Sequence, residues 1–391
     1  MRYFLNLTKG SYQQELDNFF AQKNGEMPSQ VVTKSALSQA RKQLSHTAFT
    51  TLNHQVVDYY YAHHGHLKTW RGHRLCAIDG SQLRVPNTDS ITDVFGVLPG
   101  KPNVKDCPMA LASVYFDVLN RISIDASINP TGASERDCAA AHLQHALPND
   151  LSILDRGYNA FWLYALFSDR DQRFCMRAKI NRNLICKAFA ESGERERIIT
   201  LTPNKNSVVQ CEAKGLSSEP LTLRLVRVDL DNDVEVLITN LLDTEVYPAD
   251  IFKVLYNLRW GIEENYKRLK QWVEIENFSG KSALSVRQDF YAKILSSNLT
   301  AIVANAAQNQ VDNTGGIRDR YYQINGAQAL SKMKNTIVLW LQLTPRRLRN
   351  RIEKMVNYIA CTIESIRDGR SFNRPKSSKN RIFYMAYKRA F

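Results

Sequence analysis

The chain has 391 residues, 44% of them hydrophobic, and a formal net charge of +14. That length exceeds what one core usually holds, so two or three domains are expected, with the apolar share of an ordinary globular protein. No apolar run reaches bilayer-spanning length and no signal-peptide pattern opens the chain, so neither a membrane association nor export is expected.

Residues 1–70 read as helical. ELDNFF, the segment Thr33 to Leu44 and FTTLNHQVVDYYY carry helical spacing, broken at Gly25-Glu26-Met27-Pro28. Thr33 is a plausible cap, and Arg41-Lys42 place two cations together. Two readings stand for this segment, a DNA-reading helix or plain bundle packing. His63, His64 and His66 cluster without a nearby acid or thiol in sequence, which suits a solvated loop rather than a metal site.

From Leu75 the pattern alternates, and residues 71–180 read as a mixed α/β unit. LCAID is an apolar run ending in Asp79, followed by Gly80. MALASVYF and ISIDASI form a hairpin turning near Asn120, and a helix capped by Ser134 follows to about Ala146. LSILD then repeats the first device, ending in Asp155 with Gly157 two residues on. A helix near 160–167 and the strand RFCMRAK complete the unit. In residues 181–245, IITLTP, VVQCEAK, LTLRLVRV and VEVLITNL suggest an inserted β-rich subdomain. The stretch 246–282 is helical, and 283–391 is a helical region ending in a basic tail.

In that tail, Arg346 to Phe391 hold thirteen basic residues against three acids, with Phe372, Phe383, Tyr384 and Tyr387 interleaved. Such charge favours a polyanion, because neutralising phosphates releases counterions, although a solvated tail would carry the same charge. The seven cysteines (Cys76, Cys107, Cys138, Cys175, Cys186, Cys211 and Cys361) lack any CxxC pair. Neither a zinc site nor a disulfide frame is therefore expected, and a reducing cytoplasm fits.

The segment IFKVLYNLRWGIEENYKRLKQW reads as one helix. Tyr256, Arg259, Glu263 and Lys270 are spaced by three, four and seven, which puts them within roughly 60° of one another on its surface. Leu255, Leu258, Ile262, Tyr266, Leu269 and Val273 form an apolar stripe about 80° away. A polar row thus borders a buried face, while Glu264 points to solvent. Taken singly, Asp79 and Asp155 read as turn formers, and Glu263 as half of a salt bridge with Arg259 or Lys267. Taken together, two acids closing apolar strands and a rim carboxylate in a basic chain suit divalent ions and phosphoryl transfer.

The order Asp79, Asp155, Glu263, with DRGY around the second acid and Y-x2-R-x3-E-x6-K around the third, resembles the DDE transposases of bacterial insertion sequences. It looks like the subgroup with the YREK signature and a β-rich insert, which the 108 positions from Asp155 to Glu263 accommodate. The resemblance implies a ribonuclease-H-like mixed-sheet core and cut-and-paste DNA transposition in the bacterial cytoplasm, at the nucleoid. By the same resemblance Asp79, Asp155 and Glu263 are the catalytic ligands of two Mg²⁺ ions, with Mn²⁺ able to substitute. Tyr256, Arg259 and Lys270 contact transposon-end DNA, and the partners are double-stranded DNA and a second copy, with 283–368 as the expected dimer interface.

Two features depart from that pattern. The family's Trp in the insert, which stacks on a flipped base, has no counterpart between Arg182 and Arg259. Trp162 and Trp260 are the nearby candidates, Trp260 being either packed or available to DNA. The chain also opens at Met1-Arg2-Tyr3-Phe4, in what resembles the middle of a DNA-binding region. Lys281 and Ser282 are candidates for a phosphate contact or for a simple capped turn after Gly280, which reads as the stop of the preceding helix. The alternative function is a catalytically inactive or inhibitory DNA-binding derivative, and a third is a related nuclease.

Overall fold

Thr33 caps its helix as expected, Oγ1 accepting from the Ala36 amide at 3.2 Å. That helix, α2 (Lys34–Arg41), follows α1 (Tyr12–Asn24) and precedes α3 (Thr47–His63). The computed structural model describes residues 1–366 except 7–9, 25–31, 101–105, 181–182, 231–232 and 315–320. The basic tail beyond 366 and its aromatics Phe372, Phe383, Tyr384 and Tyr387 lie outside the described residues. Of the two readings of α2, packing is the one Arg41 follows. Its guanidinium is buried, pairs with Asp289 at 3.0 Å and donates to Gln288 Oε1 and Ser279 Oγ at 2.8 and 2.9 Å. His63 and His66 are exposed at and just beyond the end of α3.

The expected strand, hairpin, helix, strand, helix, strand order is present, with α4 and β2 added after the first strand: β1 (Arg74–Arg84), α4 (Asp89–Phe95), β2 (Val97–Leu98), β3 (Cys107–Asp117), β4 (Ile122–Pro130), α5 (Glu135–His142), β5 (Asp150–Leu154), α6 (Phe161–Asp169) and β6 (Arg173–Arg177). Strand β3 lies antiparallel between β1 and β4, while β5 and β6 run parallel to β1. The order β4-β3-β1-β5-β6, with those directions, is the ribonuclease-H-like sheet. One expectation changes here. Asp79 does not end its strand, because the β1–β3 ladder carries on from Asp79↔Val114 to Arg84↔Met109 after the β5 partner has stopped.

Residues 181–245 do not form a subdomain of their own. They supply α7 (Leu184–Ser192), β7 (Glu196–Leu201), α8 (Lys205–Ala213), β8 (Leu221–Asp229) and β9 (Val234–Thr239). Strand β9 pairs antiparallel with β6, so β9-β8-β7 extend the main sheet to nine strands. VVQCEAK is helical rather than extended. Asn204 Oδ1 accepts from the Ser207 amide at 2.9 Å, and that cap outweighs the β preference of Val208 and Val209. Within β8 the buried Arg224 donates to the Leu241 and Tyr247 carbonyls and pairs with Glu196, tying the added strands to the chain's return.

The return is α9 (Phe252–Asn257) and α10 (Trp260–Gln271), followed by α11 (Ala283–Thr314), β10 (Tyr322–Ile324), α12 (Gly326–Met333), α13 (Thr336–Trp340), α14 (Pro345–Ala360) and β11 (Ile363–Ser365). Ile262, Tyr266 and Leu269 of α10 pack on Ala77, Leu83, Ala112 and Val114 of the sheet. Each such apolar side chain contributes about 2 kcal/mol. Helix α11 is largely internal: Phe290 and Ile294 join that core, and Ala292, Leu295, Val303 and Ala307 a second one with the N-terminal segment. On α14, Arg346, Arg347, Arg349, Arg351 and Lys354 are exposed. Gly280 is not the stop of α10, which ends at Gln271. It precedes α11, where a Cβ would lie 2.5 Å from both Ser285 Cβ and Oγ.

Candidate active site

The parallel ladder fixes the first two acids. The β1–β5 ladder pairs Arg74 with Asp150 and ends at Ala77↔Ile153, two residues before Asp79 on β1 and two before Asp155 in the turn after β5, and the Asp155 charge acts on the Asp79 carboxyl. Alternate residues of a strand share a face, so Asp79 stands on the face of Ala77. That face is the one α10 covers, because Ala77, two residues before Asp79, shares a buried cluster with Ile262 and Tyr266. The Tyr266 hydroxyl donates to the Asp79 carbonyl at 2.9 Å and to the Ala112 carbonyl at 3.1 Å, which fixes the helix over this point of the sheet. Glu263, three residues before Tyr266, is thereby brought to the same end of the sheet.

Each acid keeps a local role as well. Asp79 Oδ1 accepts from its neighbour's amide, Gly80 N, at 2.9 Å. Asp155 Oδ1 accepts from Gly157 N at 2.6 Å and caps a short 3-10 turn at Arg156–Tyr158. The turn-forming reading of Asp155 is thus also correct, and the turn presents it beside β1. Glu263 Oε1 accepts from Arg259 Nη2 at 3.0 Å, the salt-bridge reading.

Burial pushes the Asp79 carboxyl up to about 7, against the Gly80 amide that donates to it. The carboxylates of Asp155 and Glu135 raise it further, and the Arg259 guanidinium holds it down. Glu135 is a fourth acid that sequence reasoning treated only as a first-turn helix residue. Its carboxyl is raised by burial and then by Asp155, with Arg136 opposing. Glu135 lies across Gly80, where a Cβ would sit 2.7 Å from its Oε1 and 3.1 Å from its Cγ. No sequence signal singled it out, since an acid at a helix start serves the dipole equally well.

The YREK row departs from a single regular helix. Between α9 and α10 the bonds tighten to i→i−3: Arg259 N to Tyr256 O, Gly261 N to Leu258 O and Ile262 N to Arg259 O. Tyr256 and Arg259 turn inward as a result, at 6% and 9% exposure. Tyr256 Oη reaches the Leu154 carbonyl at 3.4 Å, one residue before Asp155. Lys270 Nζ donates to the Gln82 carbonyl of β1 at 2.9 Å. Lys281 is exposed, and Ser282 Oγ accepts from Ser285 N at 3.2 Å, the capped turn. Trp162 is buried in the core. Trp260 is 45% exposed, with the Arg259 guanidinium 5.2 Å over its ring.

As a donor set, Asp79, Asp155, Glu135 and Glu263 offer hard carboxylate oxygens of the kind Mg²⁺ and Mn²⁺ take. Asp79 and Asp155 are half-buried, and the charge of Asp155 raises the Asp79 carboxyl, a repulsion that a divalent cation would relieve. The trio Asp79, Asp155 and Glu263 does not, however, close to within 4.8 Å of mutual oxygen distance among the described residues. Glu263 faces Arg259 instead.

Comparison with known proteins follows this geometry. The family model described as transposase DDE domain matches residues 70–299, so the chain belongs to that family. The match begins just before β1 and ends within α11, enclosing every acid above. The chain is 23% identical over 272 residues to the transposase InsG for insertion sequence element IS4 of Escherichia coli, with 68% of this chain and 60% of that protein covered. It thus spans less than two thirds of that relative. A chain from the piggyBac transposase synaptic complex with hairpin DNA superposes with a TM-score of 0.40 at 10% identity, over 72% of this chain and 57% of that one. The fold assignment rests on strand order, not on that superposition.

Proposed function

We propose that the chain is a transposase that cuts DNA at the ends of an insertion sequence and joins the freed 3′-hydroxyls to a target, by the cut-and-paste route. One observation carries this reading: Asp79 of β1 and Asp155, just past the end of the parallel β5, lie close enough for the charge of one to act on the other, under the helix that bears Glu263, in a transposase DDE domain. The spacing of Tyr256, Arg259, Glu263 and Lys270, with the added strands before them, supports the YREK subgroup. Asp79, Asp155 and Glu263 would hold two Mg²⁺ ions, or Mn²⁺ in their place. Bound there, such ions activate a water or hydroxyl and stabilise the departing oxygen.

The chain's own residues set the conditions. Asp79 loses its proton near pH 7, so the site gains negative charge where it has to hold cations. Arg259 orients Glu263 and lowers the charge density between the acids. Phosphate contact falls to groups that reach solvent: Lys281, the exposed Trp260 face and the basic helix α14. Tyr256 and Arg259 act from inside by placing the acids, and Lys270 reaches DNA on release from Gln82. The work is done on double-stranded DNA by a pair of copies, in the cytoplasm at the nucleoid. Among the described residues no helix is long and apolar enough to cross a membrane.

A second reading has its own support. The pairing of Glu263 with Arg259, and the open trio of acids, favour a DNA-binding derivative without catalysis. One experiment separates the two. Purified chain is incubated with a plasmid carrying the element's ends, with and without Mg²⁺, alongside Asp79→Asn. The transposase reading expects nicks at the ends that need the metal and fall by at least about a thousandfold in the variant, with end binding retained. Binding without any cleavage in the native chain establishes the derivative.

A further inference from the structure

A second group of ligating side chains lies on a different part of the core. His54 of α3, Asp125 of β4 and His145, in the 3-10 turn after α5, bring one donor atom each to within 4.8 Å of one another. His54 Nε2 stands 2.9 Å from Asp125 Oδ1, and His145 Nε2 stands 4.0 Å from Asp125 Oδ2. The two imidazoles face each other with centroids 4.0 Å apart. All three residues are partly buried, neither in the core nor free in solvent.

The surroundings are those of a supported ligand set. His142 Nδ1 lies 2.6 Å from Asp125 Oδ2, and His142 Nε2 lies 3.0 Å from Ser113 Oγ. The carboxylate is therefore oriented by a histidine that is itself anchored to β3, as metal-ligating carboxylates commonly are. The side-chain amide of Gln144 can only donate to His145 Nε2, 3.2 Å away, so that nitrogen carries a lone pair and no proton. Burial and the neighbouring His54 and His142 also hold His145 below the usual histidine range, opposed by Asp125 and Asp58. Neutral imidazole is the ligating form.

We propose that His54, Asp125 and His145 bind a divalent transition ion of the zinc class, separate from the carboxylate site. Two imidazole nitrogens and one carboxylate oxygen leave a fourth position for water, a donor set that suits Zn²⁺ and not Mg²⁺. Tetrahedral zinc at about 2.0–2.2 Å from each donor separates donors by roughly 3.3–3.5 Å. The His54 and His145 nitrogens lie 2.9 and 4.0 Å from different oxygens of Asp125, so binding requires side-chain rotation that brings both nitrogens to one oxygen, with Gln144 displaced. An ion here joins the N-terminal helix α3 to the sheet edge and to the turn after α5, stapling the helical region to the core. The sequence hid this trio because 71 positions separate His54 from Asp125 and 20 more separate Asp125 from His145.

The test is equilibrium dialysis of the full chain against Zn²⁺ with millimolar Mg²⁺ present to occupy the carboxylate site, read by elemental analysis. Native chain, His145→Ala, His54→Gln and the doubly substituted Asp79→Asn/Asp155→Asn chain are compared, each checked for folding by circular dichroism. The expected result is one zinc per native chain, retained in the aspartate double variant and bound at least tenfold more weakly in both histidine variants. Co²⁺ in place of Zn²⁺ gives a visible absorption band lost in the same two variants. Equal binding by native chain and His145→Ala, or loss of the zinc in the aspartate double variant, overturns the assignment. His145 lies on a partly exposed turn, so a folding failure of His54→Gln leaves the test intact.

Discussion

Arg259 holds Glu263 at 3.0 Å while its charge also acts on Asp79, so one guanidinium serves two of the three candidate acids. Its Nε finds no hydrogen-bond partner among the described residues, although the residue is buried. A buried cation with an unused donor beside carboxylates is a positioning group, set to move with its partners. Replacing it should alter both the geometry of Glu263 and the protonation of Asp79.

For Arg259→Ala, DNA cleavage should fall by at least about tenfold, since a misplaced ligand costs metal affinity on that scale. The pH profile of the remaining activity should also move upward, because the Arg259 charge no longer holds the Asp79 carboxyl down. Rate against pH for both chains provides the check. An unchanged midpoint would show that Arg259 does not act on Asp79.

Asp79 itself should cost stability when no metal is bound. Its folded carboxyl lies near 7, above the unfolded value of about 3.9, so the folded state holds the proton more tightly. The stabilising contribution is complete below pH 4 and is lost as pH rises through 7. In chelator at pH 8, Asp79→Asn should therefore unfold at higher urea than the native chain, by on the order of 2 kcal/mol. The gap should narrow toward pH 5. A gap that does not change with pH would rule out the titration as its source.

Arg41 should matter for folding rather than for reading DNA. It bonds Asp289, Gln288 and Ser279 in a dry setting, so Arg41→Ala strands a buried carboxylate and should cost about 3–5 kcal/mol. Urea unfolding measures the loss, and a double-mutant cycle with Asp289→Ala should recover part of it. A loss below about 1 kcal/mol would return α2 to the candidates for DNA contact.

Gly280→Ala should destabilise by roughly 1–3 kcal/mol, because the added Cβ meets Ser285 Cβ at the start of α11. Removing that neighbour with Ser285→Gly should lessen the loss. Thermal midpoints of the single and double variants decide it, and no relief in the double variant would place the strain elsewhere.

What the sequence determined by itself is local. Strand β5 and helix α5 were legible from apolar runs and a Ser134 cap, and the apolar stripe of α10 from rotation per residue, because each is written within a dozen residues. The acids Asp79, Asp155 and Glu263 could be named for the same reason. Tertiary structure alone decided the rest. The parallel pairing of β1 with β5 brings Asp79 and Asp155 near each other, and the approach of α5 adds Glu135. Packing against Leu154 and the sheet tightens the turn that draws Tyr256 and Arg259 inward. Arg41 met Asp289 across 248 positions, and His54, Asp125 and His145 met from three separate elements. Such encounters depend on sheet register and on which faces are buried together, and neither is encoded in the spacing of nearby residues.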